Sequence, residues 1–164
     1  MADGAVKDAL EQWGHLHPEL DLRPMAIWGR IARLALLADR HRAAILASHG
    51  LQQSDIGVLA ALYRHGGDLR PRELCRWMLV ASGTITPRID RLEAAGLAER
   101  LPDPDDRRGK VVRLTREGRA LAPAVVAELL EVEAALLDPL PARSQDRLAR
   151  DLAQLLAVVP DPEE

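Results

Sequence analysis

The stretch Asp106-Arg107-Arg108-Gly109-Lys110 places three cations and one carboxylate in five consecutive residues, between two apolar segments. Cations on such a loop attract phosphate. A planar guanidinium, charged at any working pH, also suits a narrow minor groove, where negative potential is focused. Upstream, Ser82, Thr84, Thr86 and Arg88 are followed by Arg91. Hydroxyls and free N–H groups at the start of a helix hold phosphate, and an arginine there reaches guanine O6 and N7. Arg88 is the candidate for base reading, and Arg70 and Arg72 are candidates for flanking phosphates. This is chemistry of recognition. No glycine loop cradles a phosphate and no acid and base stand at plausible spacing, so neither an enzyme nor a cofactor is expected.

The formal net charge of −3 hides an uneven distribution. Residues 64–119 carry 13 Lys/Arg against 9 Asp/Glu, and the remainder carries 9 against 16. A basic centre lies between acidic arms, and charge acts by region rather than by total. The single cysteine, Cys75, can form no internal disulfide and reads as a small buried hydrophobe beside Leu74 and Met78. His15 and His17 are wrongly spaced for one helix face and no second cysteine joins them, so no metal is expected. The start, MADGAVKDALEQW, lacks the layout of a secretion signal, which predicts a soluble, cytoplasmic protein.

The elements that must position these groups are legible as periods. Val6, Ala9, Leu10, Trp13 and Leu16 predict a helix over 4–16, closed by Pro18. Ile27, Ile31, Leu34, Ala38, His41 and Ile45 form one stripe of a long helix from Pro24 to about Gly50, with His41 a packing residue. Ser54 is the expected cap of the next helix, with Ile56, Leu59, Ala60 and Leu62 inward and Gly66 and Gly67 ending it. Pro71 suits the first turn of a short helix that turns Leu74, Cys75, Met78 and Leu79 inward. Ile85, Ile89 and Leu92 then give an amphipathic helix with a basic face, closed at Gly96 by a left-handed cap. By local rules alone Thr86-Pro87 would start that helix four residues late, so a helix from Ser82 needs a tightened first turn. The period then changes to two at Leu97, Glu99 and Leu101, breaks at PDPDDRRGK, and resumes over 111–114, a hairpin with a charged loop. Leu121, Val125, Leu129, Val132 and Leu136, then Leu148, Leu152, Leu155 and Val159, mark two closing helices.

The order helix, helix, helix, strand, charged loop, strand is that of a winged helix-turn-helix, whose third helix fits a major groove about 12 Å wide. Through SGTITPRIDRLEAAGLAERLPDPDDRRGKVVRLTREGRAL, residues 82–121, the chain resembles the MarR family of transcriptional regulators. The fold class expected is mainly α with a small β-hairpin wing, with N- and C-terminal dimerisation helices. The expected divisions are 1–50 (dimerisation and ligand pocket), 51–118 (DNA binding) and 119–164 (dimerisation). The resemblance implies that Arg108 enters the minor groove while Asp106 holds the wing by pairing with a basic residue, for which Arg91 is the candidate by position. It further implies a homodimer on pseudo-palindromic double-stranded DNA and release by a small anionic or aromatic ligand.

The segment EQWGHLHPELDLRPMAIWGRIARL resembles the branch that includes urate-responsive regulators, in which an added N-terminal helix carries a tryptophan, matched here by Trp13. Where those regulators place an aspartate, this chain has Gly57, which implies a different effector or none. Trp13, Trp28 and Arg30 either line a pocket for a carboxylate-bearing aromatic or pack in a core or interface. A winged-helix module for protein interaction would carry a neutral third helix and wing, whereas both are basic here.

Overall fold

In the computed structural model, residues 3–66, 68–78, 80–106 and 108–160 are described. They form α1 (Gly4–Leu16), α2 (Arg23–Ser48), α3 (Gln53–Arg64), α4 (Pro71–Met78), α5 (Ser82–Ala94), β1 (Ala98–Pro102), β2 (Lys110–Leu114), α6 (Arg116–Leu137) and α7 (Ala142–Leu156). Gly67, Leu79 and Arg107, for which the sequence sets expectations, lie outside the described residues. None of the described helices is long and apolar enough to cross a membrane.

The chain divides into two compact units, 1–41 and 42–164. The first holds α1 and most of α2. Arg30 ties its ends together, donating from Nε to Asp3 Oδ1 at 3.0 Å and from Nη1 to the Ala26 carbonyl at 2.9 Å. Gly29 faces Val6, whose Cγ1 an added Cβ would meet at 3.4 Å, about ordinary contact distance. Among the described residues of this unit none is fully buried, and Trp13, Ile27, Trp28 and Leu34 stand exposed.

The second unit holds the core. Leu46, Leu51, Val58, Leu59, Leu62, Leu74, Ile85, Ile89, Leu92, Val112, Val125 and Leu129 are buried, drawn from the end of α2 through α6. Cys75 packs against them as expected but is only partly buried. The expected apolar stripes supply most of these residues. Apolar burial of this kind is the main driving force for the fold, about 25 cal/mol per Å² removed from water.

The wing is an antiparallel hairpin in which Ala98 pairs with Leu114 and Pro102 with Lys110. Leu69, just before α4, extends it: its N–H donates to the Val112 carbonyl at 3.0 Å, and Val112 returns the bond at 2.8 Å. The wing is therefore joined through backbone to the segment that leads into α4.

One local device differs from expectation, and a second closes the domain. Gln52, not Ser54, caps α3. Gln52 takes the extended backbone, and Asp55 reaches back to accept its N–H at 3.1 Å, leaving Ser54 inside the first turn. At the other end of the domain, Thr115 caps α6 by accepting from Gly118 N at 3.0 Å. Gly118 is buried so close against Leu97 that an added Cβ would lie 1.9 Å from the Leu97 carbonyl oxygen.

Candidate nucleic-acid interface

α5 begins at Ser82, as the sequence predicts, in spite of Pro87 within it. Proline in a helix interior removes one backbone hydrogen bond and crowds the carbonyl four residues back, which here belongs to Gly83. The first turn is tightened: Thr84 N bonds the Ala81 carbonyl three residues back at 3.0 Å, and Thr84 Oγ1 donates to the same oxygen at 2.8 Å. Its N-cap is Ala81, whose side chain caps nothing, so the N–H groups of Ser82 and Gly83 remain donors for an outside acceptor. Ile85, Ile89 and Leu92 bury one face, while Ser82, Thr84 and Thr86 are exposed on the others.

The helix is gripped from both sides. From α3, Asp55 is only 2% exposed and accepts Arg91 Nη2 at 2.6 Å and Nε at 3.0 Å on Oδ1, while Ser54 Oγ accepts Arg91 Nη2 at 2.8 Å. The Asp55 carboxylate pushes the Arg91 guanidinium above its ordinary pKa, so this arginine is charged at every accessible pH. From β1, Arg100 binds Glu93 and also Asp90, the latter at 2.7 Å. Arg88 is thereby left without either of those carboxylates as a partner; its Nη1 lies 3.5 Å from the Ser54 carbonyl.

The wing is anchored at its root rather than its tip. Asp103, 5% exposed, accepts Arg70 Nε at 2.5 Å and Nη2 at 3.0 Å, and Nη2 also reaches Asp105 at 2.8 Å. The expected pairing of Asp106 with Arg91 is not formed. Asp106 turns back on its own loop, accepting Arg108 N on Oδ1 at 3.0 Å, the local bond that a short carboxylate at a turn makes readily, and Arg91 is already committed to Asp55. Among the described residues, Arg72, Arg108 and Lys110 are exposed and make no ion pair. Arg70, expected on phosphate, has its guanidinium between two carboxylates instead.

The Arg70 guanidinium first, and then the Asp105 N–H, hold the Asp103 carboxyl down to about 2 from its ordinary 3.8. A carboxyl lowered by folding contributes stability that is fully present above 3.8 and is lost as pH falls through about 2. The wing anchor is therefore constant at neutral pH. Carbon-detected NMR should show Asp103 titrating near 2, and Arg70→Ala should return the midpoint toward 3.8; an unmoved midpoint would break the assigned pairing.

The candidate ligand residues sit apart from one another in role. Trp13 is 43% exposed and stacks on His17 at 5.5 Å, Trp28 is 54% exposed, and Arg30 is occupied by Asp3. The first unit does contain an apolar groove of about 320 Å³, lined by Ala5, Val6, Ala9, Met25, Gly29 and Arg33 among others, and none of the three lines it. Arg33 carries a buried Nε without a partner among the described residues. His41 is exposed on the single chain, on the stripe expected to face a second copy. Sequence reading missed Asp55, Asp103 and Arg100. An acid three residues after Gln52, at the capping-box position, was the available signal for Asp55.

A helix-turn-helix whose third helix exposes hydroxyls and open N–H groups, beside a hairpin with unpaired cations, defines a DNA-binding transcription regulator. The chain belongs to the MarR family. The MarR family profile matches residues 49–109. HTH-type transcriptional regulator PecS of Dickeya dadantii (strain 3937) is 36% identical over 136 residues, 82% of this chain and 82% of PecS. The crystal structure of the reduced form of MarR from E. coli covers 80% of this chain and 96% of its own, with 29% identity and a TM-score of 0.64. The organohalide-sensing regulator RdhR, in a 2,4-dichlorophenol-bound form, has a TM-score of 0.75 over 84% of this chain and 81% of its own, at 19% identity, a likeness of fold. These relatives regulate transcription; they are not enzymes.

Proposed function

We propose that this chain is a cytoplasmic repressor that binds a pseudo-palindromic operator as a homodimer and is released by a small anionic or aromatic molecule. The observation that carries the DNA-reading part is the exposed N-terminal turn of α5 together with the unpaired Arg108 and Lys110 of the wing. In this reading 51–118 contacts DNA: Ser82, Thr84, Thr86 and Arg72 meet phosphates, Arg88 meets a base edge, and the wing enters the minor groove. Residues 1–50 and 119–164 supply the dimer surfaces. Exposed Leu34 on α2, Leu136 on α6 and Leu148, Leu155 and Leu156 on α7 are apolar area that a second copy covers.

The test is selection of bound fragments from a random DNA pool by the full chain. The expected product is two inverted half-sites about one helical turn apart. On that site Arg88→Ala should cost about 1–3 kcal/mol and on random DNA nothing. Equal loss on both reassigns Arg88 to phosphate, and selection of no common sequence overturns the reading.

The effector rests on the groove of the first unit, where an apolar floor meets the partnerless Nε of Arg33, a match for a carboxylate on a hydrocarbon body. That RdhR was crystallised with 2,4-dichlorophenol is in keeping with a small aromatic. At Gly57 an added Cβ would lie 2.7 Å from Met78 Cε, so Met78 fills the space a side chain would need and the effector is not held from there. Screening aromatic acids for release of the selected DNA fragment tests this part.

A further inference from the structure

We infer that Arg70 is a positioning residue that fixes the posture of the wing from the start of α4 and does not itself hold DNA phosphate. The inference rests on the wing's proposed contact with DNA. Arg70 stands where a helix usually carries a short capping side chain. Its carbonyl accepts the first N–H bonds of α4, from Glu73 at 2.9 Å and Leu74 at 3.2 Å, and its own N–H donates to Glu73 Oε2 at 2.7 Å. Glu73 supplies the cap, which frees the long arginine side chain to cross to a segment 33 residues away.

What it finds there is the base of the wing loop. Asp103 receives two guanidinium N–H groups and the N–H of Asp105 at 3.0 Å, so both carboxylate oxygens are engaged. Asp103 N in turn donates to the Gly109 carbonyl at 3.1 Å, and Gly109 N donates to the Asp106 carbonyl at 2.9 Å. A Cβ at Gly109 would lie 3.1 Å from both Asp103 Cβ and Asp106 Cβ, so the two sides of the loop are already in close contact. A continuous chain of bonds thus runs from Arg70 through Asp103 to the turn that carries Arg108. The charge count agrees. One guanidinium faces two carboxylates, so this site has no positive charge left to offer a phosphate.

Two roles for Arg70 make opposite predictions for Asp103. If Arg70 holds phosphate, Asp103→Asn removes a competing anion and binding is unchanged or tighter. If Arg70 positions the wing, Asp103→Asn weakens binding as Arg70→Gln does. Affinity of the full-length protein for its selected operator should fall about tenfold in each variant, and no further when they are combined. In an Arg108→Ala background each should add clearly less than its own loss, because the chief residue they position is gone and only Lys110 of the wing remains to be placed. Hydrogen exchange without DNA provides a second measurement: Asp103 and Gly109 amides should exchange faster in both variants, with α3 and α5 unaffected. Asp105→Asn, at an exposed carboxylate, gives a milder version should the other variants lose the fold. Unchanged or tighter binding by Asp103→Asn, or full additivity with Arg108→Ala, overturns the inference. The failures separate: no effect of Arg108→Ala removes the wing from DNA binding, whereas an effect of Arg108→Ala without one of Asp103→Asn removes only the positioning role of Arg70.

Discussion

Arg108→Ala is expected to weaken operator binding by about 100-fold, close to 3 kcal/mol for the two copies in a dimer, with no change in melting temperature. Both halves follow from the geometry. The Arg108 side chain is exposed and unpaired, while its backbone N–H, which Asp106 accepts at 3.0 Å, survives the substitution. Removing a surface side chain that touches nothing changes stability by less than about 0.5 kcal/mol. On DNA the same side chain is expected in a narrow minor groove, where focused potential raises the value of each guanidinium. The slope of log affinity against log salt should fall by about one for each phosphate that the variant leaves without a cation. Gel-shift titrations at several salt concentrations measure both quantities. Retained affinity would exclude the wing tip from the mechanism.

Gly118→Ala is expected to destabilise the fold by about 3 kcal/mol or more, near the upper end for overpacking. Its Cβ would lie 1.9 Å from the Leu97 oxygen and 2.9 Å from the Leu97 carbonyl carbon, both backbone atoms that no rotamer change can move aside. The Leu97 carbonyl is fixed there by Thr115 N at 3.1 Å, and the Thr115 hydroxyl donates to Gly96 O at 2.7 Å while accepting from Gly118. Relief therefore means parting α6 from the start of the wing. Gly83→Ala is the control, since its Cβ meets nothing within 4 Å and alanine favours helix. Thermal unfolding should show a fall of about 10 °C for Gly118→Ala and no fall for Gly83→Ala. Equal melting temperatures would mean that the α6 junction yields.

The helices and the hairpin could be read from the sequence because their causes are local. Pro71 opens α4, Gly96 takes φ +69° after α5, and apolar spacing sets the buried faces of Ile85, Ile89 and Leu92. The ion pairs could not be read that way. Asp55 and Arg91 are 36 residues apart and Arg70 and Asp103 are 33 apart, and many arginines and aspartates compete for partners along this chain. Arg70 looked like a phosphate ligand because type and position agreed; only the packing of the wing root against α4 shows its charge already matched. Gly118 offered a clue in the third position of α6, where glycine is a poor helix former unless backbone must approach closely.

The bond from Glu93 to the Arg100 N–H, at 2.7 Å, has a consequence for the lone protein in a crowded cell. It shows that this N–H faces away from β2, toward the open side of the hairpin. Alternate residues of a strand face the same way, so Pro102 shares that side and has no N–H to offer. On the opposite side, Leu69 already occupies Val112. A foreign strand approaching either border of the ribbon finds few free donors to pair with. The wing is thus a poor template for amyloid-type stacking, and the folded protein can expose it before its DNA is found.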